Sequence, residues 1–348
     1  MMSNWAAGAV MAKSRAMYGR RLHREDYEAM MACRNVGAIA AYLQQKPEYA
    51  DVLSESNVGA LHRAQLEKLL KQKLFLKFAT LYRYEKAVGE FFAEYIIARS
   101  EARIILDSVM GLQEGRFGET QKAQFMPEEL RNNMGIDFEM LGEAMTYEKF
   151  AEATAKSRYA GVIAAFKPDL DARIPITAME NAVYSKLYND TFELIKNKAS
   201  KKEKQELLSI FETYIDLINF VRIVRMKKYY GMTIDQMKDM MLPNGNLGLE
   251  KLEKMMGAET TQKAIDIAYT SLLKNVITDK NVPIDDLPDR GKADMARKYI
   301  RFSTKPSVVM LCYMFLSEIE IWNVIHIIEG IRYNVSPNEI WPMIIYID

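Results

Sequence analysis

A chain of 348 residues is longer than one ordinary hydrophobic core serves, so its length predicts two or three packed units. With 49% hydrophobic and 27% charged residues the composition is that of a folded globular protein and excludes gross disorder. Its 47 basic and 46 acidic side chains leave a formal net charge of +1, which excludes an overall field drawing it onto nucleic acid or an anionic membrane.

At the N-terminus, residues 1–17 carry a short apolar stretch, Ala6 to Met11, followed by basic residues, with neither a signal-peptide core nor a small-residue cleavage site. No export is expected. Cys33 and Cys312 are the only cysteines, too few for a disulfide framework and without the paired spacing of a zinc site, which fits a reducing cytoplasm. Proline-free stretches at 48–126, 176–242 and 307–336 are rich in good helix formers and predict long helices.

Within the first stretch, between Leu61 and Val88, Leu66, Leu69, Leu70, Leu74, Phe75, Phe78, Leu81 and Tyr82 fall at spacings of three and four, the mark of an amphipathic helix. The second stretch holds Lys196 to Glu206, where seven of eleven residues are charged; the mixture of signs reads as an exposed hairpin tip, not a phosphate-binding arm. Ile210, Tyr214, Leu217, Ile218, Val221 and Val224 then resume the helical period, and Pro243-Asn244-Gly245-Asn246 reads as a turn after a helix. Val308 to Ile328 is about long enough to span a bilayer, yet it contains Glu318 and Glu320, each costing roughly 2.5–3.5 kcal/mol at a bilayer centre, and so reads as a buried helix. Strand-like alternation is lacking, and the predicted fold class is all-α.

Internal repetition organises the chain. Tyr49 before Ala50-Asp51-Val52-Leu53, Tyr159 before Ala160-Gly161-Val162-Ile163, and Tyr269 before Thr270-Ser271-Leu272-Leu273 are spaced at 110 residues twice over. Leu66-Glu67 with Leu70, Lys73 and Leu74 recurs as Met179-Glu180 with Val183, Lys186 and Leu187. Tyr95 and Arg103 match Tyr214 and Arg222, and Glu320, Asn323 and His326 look like a later copy of Asp216, Asn219 and Arg222. Glycines cluster from Gly111 to Gly118 and from Gly231 to Gly248, which predicts three similar helical units at residues 1–115, 116–235 and 236–348. The tyrosines are expected to pack at the ends of equivalent short helices, their hydroxyls reaching an edge.

Few residues offer chemistry. His23, His62 and His326 are too scattered for a histidine-based site, and His326 reads as a core or interface histidine with one hydrogen bond. Neither a Gly-x-Gly-x-x-Gly nor a Gly-x-x-x-x-Gly-Lys-Ser/Thr pattern is present. Asp285-Asp286-Leu287-Pro288-Asp289 spells the Asp-Asp-x-x-Asp with which all-α isoprenoid synthases hold magnesium against a diphosphate. Pro288 inside it, and Pro283 before it, point instead to a turn leading into a helix with an acidic start. The 23 methionines, paired at 30–31, 240–241 and 255–256, read first as core filling and second as an adaptable partner surface. No catalytic, cofactor-binding or metal-binding residue is predicted.

Ala12-Lys13-Ser14-Arg15-Ala16-Met17, Leu22, Glu25-Asp26-Tyr27 and the Tyr49 segment resemble the opening of the C/d-subunit family of V-type and A-type rotary ATPases. Asp216 to Arg222, running on to Gly231, resembles the family's middle segment, and Glu320 to Tyr333 followed by Ser336-Pro337-Asn338-Glu339-Ile340 resembles its ending. Ser100 replaces asparagine in the first copy, and Trp322, His326 and Glu329 depart from the expected aliphatic or basic residues. The resemblance implies three units around a pseudo-threefold axis, forming a funnel. It also implies a non-catalytic rotor subunit whose partners are the central-stalk shaft and the membrane proteolipid ring. Such a subunit is peripheral, on the cytoplasmic side, without a transmembrane helix and without nucleic acid. A magnesium-dependent diphosphate enzyme using Asp285, Asp286 and Asp289 is the alternative.

Overall fold

The computed structural model describes residues 2–54, 56–85, 91–115, 127–169, 173–271 and 283–346, all of them helices and connecting turns with no strand. Leu272 and Leu273 of the third tyrosine segment, Val88 and Gly118 lie outside the described residues. The chain divides into two compact units, one from Met1–Phe92, Phe125–Pro127 and Ala293–Asp348, the other from Ala93–Gln124 and Glu128–Lys292.

In the first unit the helix Pro306–Arg332 is the axis. Pro306 opens it in the first turn, where an amide hydrogen would have no intrahelical acceptor, and residues 307–321 are buried without a break. The helices Met2–Gly19, Arg24–Met31, Val36–Gln44 and Arg63–Glu85 pack around it. It is the one helix among the described residues long and apolar enough to cross a membrane, and its apolar stretch is 94% buried within the fold, as its two glutamates predicted. Arg63–Glu85 turns Leu66, Leu70, Leu74, Phe78, Leu81 and Tyr82 inward, following the predicted stripe.

The second unit is built on a helical hairpin, Ile176–Lys198 followed by Lys201–Arg225. Its connection is two residues long, Ala199 half-buried and Ser200 exposed, at the hairpin tip predicted from the charge pattern, with Glu203 accepting the Ser200 amide at 3.2 Å. Lys201–Arg225 continues into a π-turn, Met226–Tyr230, and ends at Gly231, whose φ of 56° suits a residue without a Cβ. Ile234–Asp239, Gly248–Gly257 and Thr261–Ser271 complete a core in which Met237, Met255 and Met256 are buried with Leu217, Phe220 and Val224. Together with buried Met30 and Met31, this bears out core filling as the main use of the methionine pairs.

The repeated segments occupy equivalent places. Leu66, Leu70 and Leu74 begin three residues into a 23-residue helix, as do Met179, Val183 and Leu187, and all six are buried. Tyr49 and Tyr159 each sit immediately before a short helix, Ala50–Leu53 and Ala160–Ala165, and both are fully buried. Their hydroxyls bond inside the fold and not at an edge, because a phenol enclosed by packed helices must find its acceptor there. Tyr269 differs: it lies within the helix Thr261–Ser271 and is only half-buried.

Candidate functional site

The polar groups that the fold buries gather where long helices meet the starts of short ones. On Pro306–Arg332, Glu320 accepts the Leu22 amide at 2.8 Å through one oxygen and the Tyr49 hydroxyl at 2.5 Å through the other. Lys77, reaching from Arg63–Glu85, stands 3.4 Å from both Glu320 and Glu48, with all three side chains less than a tenth exposed. Burial works against the Lys77 ammonium, but the two carboxylates outweigh it and raise its pKa. Burial, reinforced by Glu320, holds the Tyr49 phenol far above its ordinary value, so it remains a donor.

Two further carboxylates on long helices do the same work in the second unit. Glu101, on Phe91–Gln113, accepts the Gly135 amide at 2.7 Å and the Arg158 guanidinium at 2.5 Å, while neighbouring Tyr159 donates to the Ala98 carbonyl at 2.9 Å. Gly135 is required there, since a Cβ would lie 2.0 Å from the Lys156 carbonyl oxygen. Asp216, on Lys201–Arg225, accepts the Asn246 and Leu247 amides at 3.1 Å. Burial pushes its pKa up to about 6 against the opposing pull of those two amides.

One turn beyond the acids, Asn219 and Asn323 make matching reciprocal pairs with a returning backbone. Asn219 donates to the Leu242 carbonyl at 2.9 Å and accepts its amide at 2.8 Å. Asn323 does the same with Ile345 at 3.0 and 2.9 Å. A carboxamide is the only uncharged side chain offering a donor and an acceptor in this geometry, so it substitutes for a strand neighbour. The likeness of Asp216-x-x-Asn219 to Glu320-x-x-Asn323 was legible in the sequence; Glu101 as the acid of a third joint was missed, because its mark is only an acid on a buried helix face.

Other singled-out residues stand apart from these joints. Asp285 pairs with Arg225 at 2.9 Å, Asp289 with Lys292 at 2.7 Å, and Asp286 lies 3.9 Å from Arg290, so each carboxylate of the Asp-Asp-x-x-Asp motif faces a cation. The motif forms the predicted turn, Ile284–Asp286, leading into Leu287–Phe302, and the diphosphate-enzyme alternative gains no support. Among the described residues no three His, Cys, Asp or Glu side chains are grouped to hold a metal. His326 is half-buried, and its Nδ1 is buried without a hydrogen-bond partner.

This fold and these joints define an all-helical scaffold whose buried polar groups are spent on fixing helix ends. The ATP synthase (C/AC39) subunit family matches residues 10–341, nearly the whole chain, and the protein belongs to that family. The C subunit of the A-type ATP synthase of Methanosarcina mazei is 23% identical over 310 residues, which cover 87% of this chain and 80% of the relative. The family is that of an accessory subunit of the ATP synthase, not a catalytic one.

Proposed function

We propose that the chain is a non-catalytic rotor subunit of a V/A-type ATPase or ATP synthase, coupling the central shaft to the membrane proteolipid ring during ATP-linked proton or sodium transport. The observation that carries this reading is the family match across residues 10–341. The joints add a physical reason. A part that passes torque between two others needs stiff, close-packed helices and no reacting group. Charge-assisted bonds at Glu101, Asp216 and Glu320 tie helix starts to long helices and resist their sliding.

The same reading organises the chain as three helical units, residues 1–115, 116–235 and 236–348, about a pseudo-threefold axis with a funnel shape. The equivalent settings of Tyr49 and Tyr159, and the paired amides at Asn219 and Asn323, support that repetition. The protein sits at the cytoplasmic face, peripheral to the membrane, and its partners are the shaft subunits and the ring.

Affinity purification of the tagged chain from detergent-solubilised membranes of its own organism, with mass spectrometry and an ATPase assay on the eluate, tests this. Co-recovery of shaft subunits, proteolipid and ATPase activity is expected. Recovery of the chain alone from a preparation whose rotary ATPase is intact overturns the reading.

A further inference from the structure

The balanced total charge conceals a local imbalance in the first unit. Residues 1–24 carry Lys13, Arg15, Arg20, Arg21 and Arg24, and residues 295–317 carry Arg297, Lys298, Arg301 and Lys305, with no aspartate or glutamate in either segment. The fold packs the two together: Arg15, on Met2–Gly19, donates to the Ile300 carbonyl at 2.8 Å and to the Ser303 carbonyl at 2.6 Å, at the end of Leu287–Phe302. At that same end Phe302 is 76% exposed. We propose that this basic corner docks on an anionic lipid surface, with Lys298, Arg301 and Lys305 against the headgroups and the Phe302 ring inserted among the acyl chains. The inference rests on the reading of the protein as peripheral to the membrane, and adds to it a lipid contact made by this chain.

Lys298, Arg301 and Phe302 stand three and four residues apart on the last turns of their helix, so they project from one side, and all three are exposed. Lys305 follows, half-buried, just before Pro306. Lys13, Arg20, Lys298 and Lys305 have no carboxylate partner among the described residues. Asp294, one turn before Lys298, is matched by Arg297 at 3.4 Å and leaves the lysines unneutralised. The corner is also held in shape: Arg15 satisfies two carbonyls at the helix end, where a cation is favoured, and the Ser303 hydroxyl accepts the Lys305 amide at 3.1 Å.

Charge and setting favour lipid over an acidic polypeptide. An aromatic anchor of a protein interface sits in a cluster of apolar side chains that exclude water around it. Phe302 is surrounded instead by Lys298, Arg301 and Thr304, all exposed, while half-buried Tyr299 keeps its ring under the Lys298 ammonium at 5.7 Å. A ring set among cations is the pattern of interfacial segments, in which the ring enters the acyl boundary and the long basic side chains reach back to the phosphates. Attraction to an anionic leaflet grows with each Lys or Arg near it and fades within a Debye length, so it needs cations gathered together without acids, as they are here.

The test sediments the purified full chain with mixed vesicles of phosphatidylcholine and phosphatidylglycerol, and with vesicles of phosphatidylcholine alone. Binding to the anionic vesicles, lost at high salt and absent with the neutral ones, is expected. Lys298→Gln combined with Lys305→Gln is expected to weaken partitioning about tenfold, and Phe302→Ala about tenfold as well, with circular dichroism confirming that both variants stay folded. In Phe302→Trp, lipids brominated in the acyl chain are expected to quench the emission beyond any quenching of the wild type. Equal binding to both kinds of vesicle, or undiminished binding by either variant, overturns the proposal. So does anionic binding without added quenching in Phe302→Trp, which would leave a basic surface for an acidic polypeptide and no inserted ring. The rotor reading fails separately, in the co-purification with shaft and proteolipid, because vesicle binding uses the chain without its complex.

Discussion

Asp216→Asn gives the most direct reading of what a helix-end joint costs and contributes. The Asp216 carboxyl titrates at about 6 in the folded chain against a reference of 3.8, because burial disfavours its ionised form more than the Asn246 and Leu247 amides favour it. A folded-state pKa above the unfolded one means that the folded chain holds the proton more tightly. The protonated acid therefore stabilises the fold at low pH, and that advantage is lost as pH rises from 3.8 through about 6. A shift of this size is worth about 3 kcal/mol once the group is fully ionised, and about 1 kcal/mol of it is lost between pH 5 and pH 7. In Asp216→Asn the amide oxygen, placed where Oδ2 stands, still accepts both backbone amides at about the 3.1 Å they now have, while the amide nitrogen replaces Oδ1, which the Leu247 amide also approaches at 3.2 Å, a cost that does not vary with pH. Urea unfolding of both proteins at pH 5 and pH 7 isolates the group, since all other titrations cancel between them. The variant is expected to gain on the wild type by about 1 kcal/mol between the two pH values. A difference between the two proteins that stays constant with pH, or that moves in the wild type's favour, would show that the backbone donors match or outweigh burial and refute the reasoning.

Asn219→Ala leaves the Leu242 amide and carbonyl without partners in a fully buried setting, and is expected to cost about 1–3 kcal/mol for each orphaned group, read as a lowered urea midpoint. Gly135→Ala drives a methyl group to 2.0 Å from the Lys156 carbonyl oxygen and must displace backbone; a loss of about 1–3 kcal/mol is expected, with faster proteolysis of the second unit, and unchanged stability would contradict the close approach. Asp286→Asn removes one member of a long, part-exposed ion pair and should alter stability by less than about 1 kcal/mol, while magnesium with inorganic diphosphate should leave the melting temperature of either protein unmoved. A midpoint that rises with both ligands in the wild type and not in the variant would revive the enzyme alternative.

The chain by itself determined the all-helical class, because proline spacing and a period near 3.6 are properties of local sequence. The same local rules located the amphipathic stripe from Leu66 to Tyr82, the charged tip around Ser200 and the turn at Ile284–Asp286. Repetition in the sequence also anticipated that Tyr49 and Tyr159 would occupy the same setting, since like segments fold alike. Tertiary structure alone decided the partners. Glu320 meets Leu22 and Tyr49 across 298 and 271 residues, and no periodicity encodes which distant amide an acid will accept. Lys77 occupied an ordinary polar position on an amphipathic helix, yet it is buried between two carboxylates, because the opposing helix brings Glu320 to its ammonium. Lys201–Arg225 carries Phe211, Ile215, Phe220 and Ile223 inside as well as Ile210, Leu217, Val221 and Val224 of the expected stripe, while Tyr214 and Ile218 stay half-buried, since neighbours cover the helix on more than one side. The basic corner around Phe302 is likewise a product of packing, for Arg15 meets Ile300 and Ser303 across 285 and 288 residues only after the helices that carry them have closed together.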